Sequence, residues 1–392
     1  MSKPRKVIRS KSMYGKPRHK LRNTILFILL LALLVGLGYI LMKEWAKRFG
    51  PNAPSPSSEI QSPISSDTAS SESSSDIISS SEPMVSATSL KAKPMPFNIM
   101  AQTGDALAEW LREAKQEGYT AVTLELKTED GIIHYKSQNE MAKQYGAVDT
   151  NAIDLAPVIK AAEDAGLTPV ARLSALKDPK SAHVRNANSY AYKGDPSYNW
   201  LDNSAKLGGK PWLNPYMENA RKYIAGLCKE VSDMGMKTIL LDNVNFPTTQ
   251  YTANMGLINE FTTKEKVLVQ LVAEAQAAAT DAKIIRSFDT SVTAISASKE
   301  TEAPYENAVN EMGEGTLAPI IRLDNIEKNK QAFCTGLGLV YDAAMPAADI
   351  AEALLEQANH RAGGIIPVIE QKDVSVLIPV LDKLKITEYM VD

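Results

Sequence analysis

The chain has 392 residues, a formal net charge of −3, 44% hydrophobic and 23% charged residues, and two cysteines. Two cysteines exclude a disulfide framework, and Cys228 and Cys334 read as buried thiols. The four histidines, His19, His134, His183 and His360, have no ligand spacing, so neither a metal nor another cofactor is expected.

Residues 1–23 form a basic tail with Lys3, Arg5, Lys6, Arg9, Lys11, Lys16, Arg18, Lys20 and Arg22 and no acid. Thr24–Met42 follows as an uncharged apolar run. At ~1.5 Å per residue a helix of that length approaches the ~30 Å hydrocarbon core of a bilayer. The far side carries only Lys43, Lys47 and Arg48, offset by Glu44, so the positive-inside rule places the N-terminus in the cytoplasm and the rest outside the cell. No small-x-small cleavage site follows, which favours an uncleaved single-pass anchor in the cell membrane over a signal peptide. Setting aside the eleven net positive charges of residues 1–48 leaves −14 beyond them. That balance argues against a nucleic-acid partner, which needs a basic footprint.

Residues 43–94 are rich in serine and proline and too poor in apolar groups to fold, so they read as a tether with a mean reach of roughly 40 Å. Residues 95–392 alternate short β-type runs with amphipathic segments, the pattern of a parallel α/β fold. The expected strands are PFNIMA, AVTLELK, TPVARLS, TILLDN, KIIRSFD, PIIRLDN, GLVYDA and IIPVIEQ. Helical stripes fall between them, at Asp105–Glu117, Leu155–Ala165, from Asn214-Pro215 to Gly235, at Thr263–Ala279, at Ala347–Arg361 and at Val374–Leu384. Eight such units predict a (β/α)8 TIM barrel.

In that fold the working groups stand at the carboxyl ends of the strands. Six of the expected strands end near an acid: Glu125, Asp242, Asp289, Asp324, Asp342 and Glu370. Singly each reads as a helix cap or turn former. Together they suit glycosidic cleavage, in which one carboxyl protonates the leaving oxygen and a second attacks or activates water. Strand alternation places Thr123, Glu125 and Lys127 on one face, toward the barrel mouth. The long segment from Ala175 to Asn214 holds Tyr190, Tyr192, Tyr198, Trp200 and Trp212, which serve equally as sugar-stacking faces or as a satellite core.

Several motifs resemble a glycoside hydrolase domain family of bacterial surface proteins, TIM barrels distantly related to the α-amylase type. They are ELKTEDG from Glu125 to Gly131, ARLSALKDP from Ala171 to Pro179, Trp200-Leu201-Asp202, Trp212-Leu213-Asn214-Pro215 and LDNVNFP from Leu241 to Pro247. TGLGLVYDAAMP is more loosely similar to the family's seventh strand. The resemblance implies a glycan substrate or ligand, with Asp242 as nucleophile, Asp289 as acid/base and Asp342 as supporting acid. It implies a cleft lined by Glu125, Lys127, Arg172, Lys177, Asp178, Trp200, Trp212, Asn245 and Glu370, with Glu125 and Glu370 as replacements for Asp289. Asn243 and Asn245 depart from the family's tyrosine and arginine. That departure motivates the alternative of a non-catalytic carbohydrate-binding or envelope scaffold protein on the same barrel. A metal-dependent deacetylase has acids enough but lacks suitably placed histidines.

Overall fold

The structure, a computed structural model, describes residues 89–392 except 103, 184–187, 257–261, 290–316 and 363. These belong to the second of the chain's two units, residues 82–392. The expected cytoplasmic tail, the apolar run Thr24–Met42 and the tether up to residue 88 lie outside the described residues. Among the described residues no helix is long and apolar enough to cross a membrane.

Twelve strands are described in chain order. They are β1 (Lys91–Met95), β2 (Ala121–Lys127), β3 (Ile133–Tyr135), β4 (Val148–Ile153), β5 (Thr168–Ser174), β6 (Ala191–Tyr192), β7 (Asp195–Asn199), β8 (Thr238–Asp242), β9 (Lys283–Asp289), β10 (Leu317–Ile321), β11 (Val368–Ile369) and β12 (Tyr389–Val391). Eight of these, β1, β2, β5, β8, β9, β10, β11 and β12, run parallel and close into a barrel where β12 and β2 pair with the two edges of β1. Ala92, Ala121, Val170, Leu240, Ile285, Ala318, Ile366, Val368 and Met390 form a cluster of their own. Contributions from all around the barrel identify this cluster as the filled lumen. The opposite strand faces, with Leu124, Leu173, Ile239, Leu241 and Ile284, join Leu111, Ile159, Leu227, Leu271 and Leu354 of the surrounding helices in the larger core.

The expected helices form over Asp105–Gln116, Ala156–Asp164, Glu218–Asp233, Lys264–Ala278, Ala347–Ala362 and Val374–Lys383. Two expected strands do not form. PFNIMA begins a short helix, Phe97–Met100, and the first strand is the preceding KAKPM, so the barrel starts before residue 95. Its lysines disguise it: Lys93 Nζ lies 5.3 Å from the Trp110 ring and 5.8 Å from that of Tyr119, with its stem doing the covering that an apolar residue would do elsewhere. GLVYDA lies in an exposed connection, with Val340 88% accessible, so IIPVIEQ supplies the seventh strand and the final Tyr389–Val391 the eighth.

Between β2 and β5 the register passes from Glu125↔Arg172 to Lys127↔Leu173, two residues facing one. This bulge interrupts the alternation that would put Glu125 and Lys127 on one face. Beyond it β2 continues into an arm, with β3 antiparallel to β2 and β4 parallel to β3. The arm is clasped by Glu230, whose carboxylate accepts from Tyr135 Oη at 2.8 Å, Ser137 Oγ at 2.6 Å, Asn139 N at 3.1 Å and Gln138 N. Gly131 turns the chain into this arm at φ +77°, and a Cβ there would overlap Asp178 Oδ1. Gly131→Ala is therefore expected to cost more than about 1 kcal/mol, read as a lowered urea midpoint with an unchanged slope.

Candidate active site

Lumen-facing residues change from apolar to polar or charged toward the carboxyl ends of the strands. Val170 gives way to Arg172, Leu240 to Asp242, Ile285 to Ser287, Val368 to Glu370 and Met390 to Asp392, each two residues on along the same face. The apolar plug thus ends in a charged mouth with Arg172 at its centre.

Arg172 donates from Nε to Asp242 Oδ2 at 2.9 Å, and Nη2 lies 2.7 Å from the same oxygen. Its Nη1 reaches Asp392 Oδ1 at 2.5 Å. The chain of charges continues from Asp392 Oδ2 to Arg322 Nη2 at 3.1 Å, from Arg322 Nε to Glu370 Oε1 at 3.0 Å, and from Glu370 Oε2 to Lys372 Nζ at 2.5 Å. Asp242 is buried. Its Oδ1 accepts from Ser287 Oγ and, at 2.9 Å, from Asn243 N. Asn243 takes the left-handed conformation, φ 53°, that asparagine tolerates better than most residues. It carries the strand end over toward Ser174 Oγ and Glu129, to which its Nδ2 donates at 3.1 and 3.2 Å.

The two carboxyls beside Arg172 are displaced in opposite directions. Burial pushes Asp242 toward its neutral form, but the Arg172 charge and the hydrogen bonds from Ser287, Arg172 and Asn243 outweigh it and hold the group below the usual carboxylate range. Glu125, the register partner of Arg172, is raised, chiefly by desolvation and further by Asp392 and Asp242, against the opposing pull of Arg172 and His134. It is exposed at residue level, and no described group hydrogen-bonds to its carboxyl. Arg172 is itself raised: burial disfavours its charge, and Asp242 and Asp392 more than restore it. Since the folded value of Asp242 is depressed, its contribution to stability is complete above an unfolded value of about 3.9 and is lost as pH falls through the folded one. One carboxyl displaced toward its protonated form and another toward its ionised form, set apart by their surroundings, is the kind of division that acid/base hydrolysis uses.

The residues expected in the cleft separate into three groups. Glu125, Arg172, Asp242 and Glu370 meet at the mouth. Lys127, Asp178, Trp200 and Trp212 are buried and do structural work. Lys127 is turned by the bulge into the helix layer, where Nζ lies 2.9 Å from Asp178 Oδ2, donates to Ser174 O at 2.5 Å and stands 6.0 Å from the Tyr223 ring. Asp178 caps the short helix Pro179–Ala182 by accepting from Ser181 N and Oγ, both at 2.9 Å. Trp200 Nε1 donates to Tyr251 O at 2.8 Å and Trp212 Nε1 to Asp202 Oδ2 at 2.9 Å, and both rings are buried in the larger core rather than in a separate one. Lys177 pairs with Glu129, and the Asn245 side chain donates to Phe246 O at 3.0 Å. Asp342 lies in the exposed connection, where its carboxylate accepts from Ala344 N at 2.8 Å, because the strand expected to carry it does not form. Asp289 ends β9 with its backbone level with Ile320. Asp324 lies in the first turn of the helix Leu323–Lys328, paired with Lys328 at 3.4 Å.

Asp392, Arg322 and Ser287 were missed. Asp392 directly follows a strand too short for periodicity to show, whereas Arg322 and Ser287 stand in runs whose ends were read only for acids. Among the described residues no group of three or more His, Cys, Asp or Glu could hold a metal ion.

The pattern of the family described as "Putative glycosyl hydrolase domain" matches residues 98–314, more than half of the chain. No curated protein matches. Among solved structures, the chain is similar to a hypothetical protein from Ruminiclostridium thermocellum, at 19% identity over 50% of this chain and 96% of that one, with a TM-score of 0.43. It is similar to the glycoside hydrolase domain of PgaB (BpsB) from Bordetella bronchiseptica, at 11% identity over 77% and 92%, with a TM-score of 0.45. It is also similar to the trehalose-6-phosphate hydrolase of Bacillus licheniformis, at 11% identity over 77% and 64%, with a TM-score of 0.46.

Proposed function

The chain belongs to that family of glycosyl hydrolase domains, and from this membership and the charged mouth we propose a glycoside hydrolase held outside the cell on a membrane anchor. The observation that carries the chemistry is the placement of two carboxyls around Arg172, Asp242 paired with it at 2.7 Å and Glu125 level with it on the next strand, the first lowered and the second raised from the usual carboxylate range. Glu125 gives its proton to the glycosidic oxygen. Asp242 stays charged and faces the positive charge that develops on the sugar ring, as nucleophile or as the base for water. In this reading Asp242 is the nucleophile or base, and Glu125, a replacement for Asp289 in the expected site, is the acid. The anchor is supported by the uncharged run Thr24–Met42 and by the excess of lysine and arginine before it. It restricts substrates to glycans of the envelope or those arriving at the membrane's outer surface.

One observation favours the alternative of a non-catalytic glycan-binding protein: both oxygens of Asp242 are already engaged, by Arg172 on one side and by Ser287 and Asn243 on the other. A single assay separates the readings. The full chain is offered peptidoglycan, α-glucans and β-glucans, and both new reducing ends and bound polymer are measured. Hydrolysis of any one of them supports the enzyme; retained binding with no new reducing ends from any of them overturns it in favour of the binding protein.

A further inference from the structure

Arg172 has more carboxylates within reach than it can serve. Its register partner is Glu125 on the adjacent β2, on which its charge acts, yet its guanidinium bonds elsewhere, with Nε and Nη2 on Asp242 of β8 and Nη1 on Asp392, just after β12. In the barrel, β12 is separated from β5 by β1 and β2, so the Arg172 to Asp392 contact passes over the strand that carries Glu125. Asp392 is in turn held on its other oxygen by Arg322. A guanidinium anchored at both edges cannot rotate toward a third acid without breaking one of these bonds.

We propose that Asp392 is a positioning residue of the site: by holding the Nη1 edge of Arg172 it keeps that cation on Asp242 and off Glu125. The inference rests on the reading of Glu125 as proton donor. A free Arg172 beside Glu125 would form an ion pair with it, and an ionised, paired carboxylate has no proton to give. An opposite charge brought to within ~4–6 Å lowers a carboxyl by roughly one to three units. The charged and titratable groups acting on Glu125 are Arg172 on β5, His134 on β3, Asp242 on β8 and Asp392 just after β12. The direct field of Asp392 also favours the proton on Glu125, so losing that charge and freeing Arg172 act in the same direction.

The test is a side-chain titration of the full chain in detergent micelles, with carbon-13 at the glutamate carboxyls and the Glu125 signal assigned by its loss in Glu125→Gln. Asp392→Asn is expected to lower the Glu125 midpoint by about half a unit or more, and Asp392→Glu to restore it. Where hydrolysis is measurable, the alkaline limb of kcat/KM moves down by the same amount, a change that loosened packing alone would not produce. A Glu125 midpoint that stays put or rises in folded Asp392→Asn overturns the proposal. Should that variant fail to fold, Asp392→Ser is read by the same criterion. If the wild type cleaves nothing, the proton-donor reading falls, while repeating the Asp392→Asn titration in an Arg172→Gln background, where the field of Asp392 is lost but no cation is released, still decides whether Asp392 holds Arg172 away: a shift as large there as in the wild-type background overturns the proposal.

Discussion

Replacing Glu125 by glutamine is expected to lower turnover of whichever glycan the protein cleaves by roughly 10²–10⁴-fold while leaving its binding within a few fold. The amide keeps the size and polarity of the side chain, and the Glu125 carboxyl accepts no hydrogen bond from the described residues, so the substitution breaks none there. In the wild type, kcat/KM should decline as pH rises through the elevated Glu125 value, because the proton to be donated is then absent; the variant should lose that limb. Asp242→Asn would behave differently. It takes one of the two anionic partners from the buried guanidinium of Arg172, so turnover and melting temperature should fall together. Retention of more than about a tenth of wild-type turnover by Glu125→Gln would remove this residue from the chemistry.

Lys127→Met is expected to destabilise the barrel by about 3–5 kcal/mol, read as a lowered denaturant midpoint. Lys127 and Asp178 have no accessible side-chain surface, and among the described residues the ammonium is the only cation paired with that carboxylate. Methionine fills the space left by the lysine stem but leaves Asp178 as a buried anion supported only by Ser181 N and Oγ. The cost comes from that orphaned charge rather than from lost packing, so adding Asp178→Asn should recover much of it. A residue of the sugar cleft would show the opposite pattern, with KM raised and the midpoint unchanged. A loss below about 1 kcal/mol would mean that the pair is not closed off from water.

How far the sequence reveals this molecule depends on the range over which each signal acts. The helices are legible because their stripes repeat over several turns, as in Leu107, Leu111 and Ala114 or Val158, Ile159 and Ala162. The central strands β2, β5, β8 and β9 are legible because five to seven consecutive residues alternate or run apolar. The barrel's two ends are not. Lys93 conceals β1 by lying along aromatic rings, while Val340 and Tyr341 mimic a strand in an exposed connection. For the site, reading acids at strand ends found Glu125, Asp242 and Glu370 but misplaced Lys127, because a one-residue bulge leaves no mark on composition or period. Asp392 was invisible for a different reason. Its role is defined by Arg172, 220 positions earlier, and no local pattern encodes a contact of that separation.

The barrel is not equally laced all the way round. Six residue pairs align between β2 and β5 and five between β5 and β8, whereas β11 with β12, and β12 with β1, align only two each. Amide exchange should accordingly begin at this seam and spread from it, with the centre of the sheet the last to yield. Asp392 and Glu370 ride on the strands that loosen first, while Asp242 and Glu125 sit on those that hold longest. On warming, the mouth would lose its far wall before the molecule melts, and the protein would fall silent at a temperature where most of it is still folded.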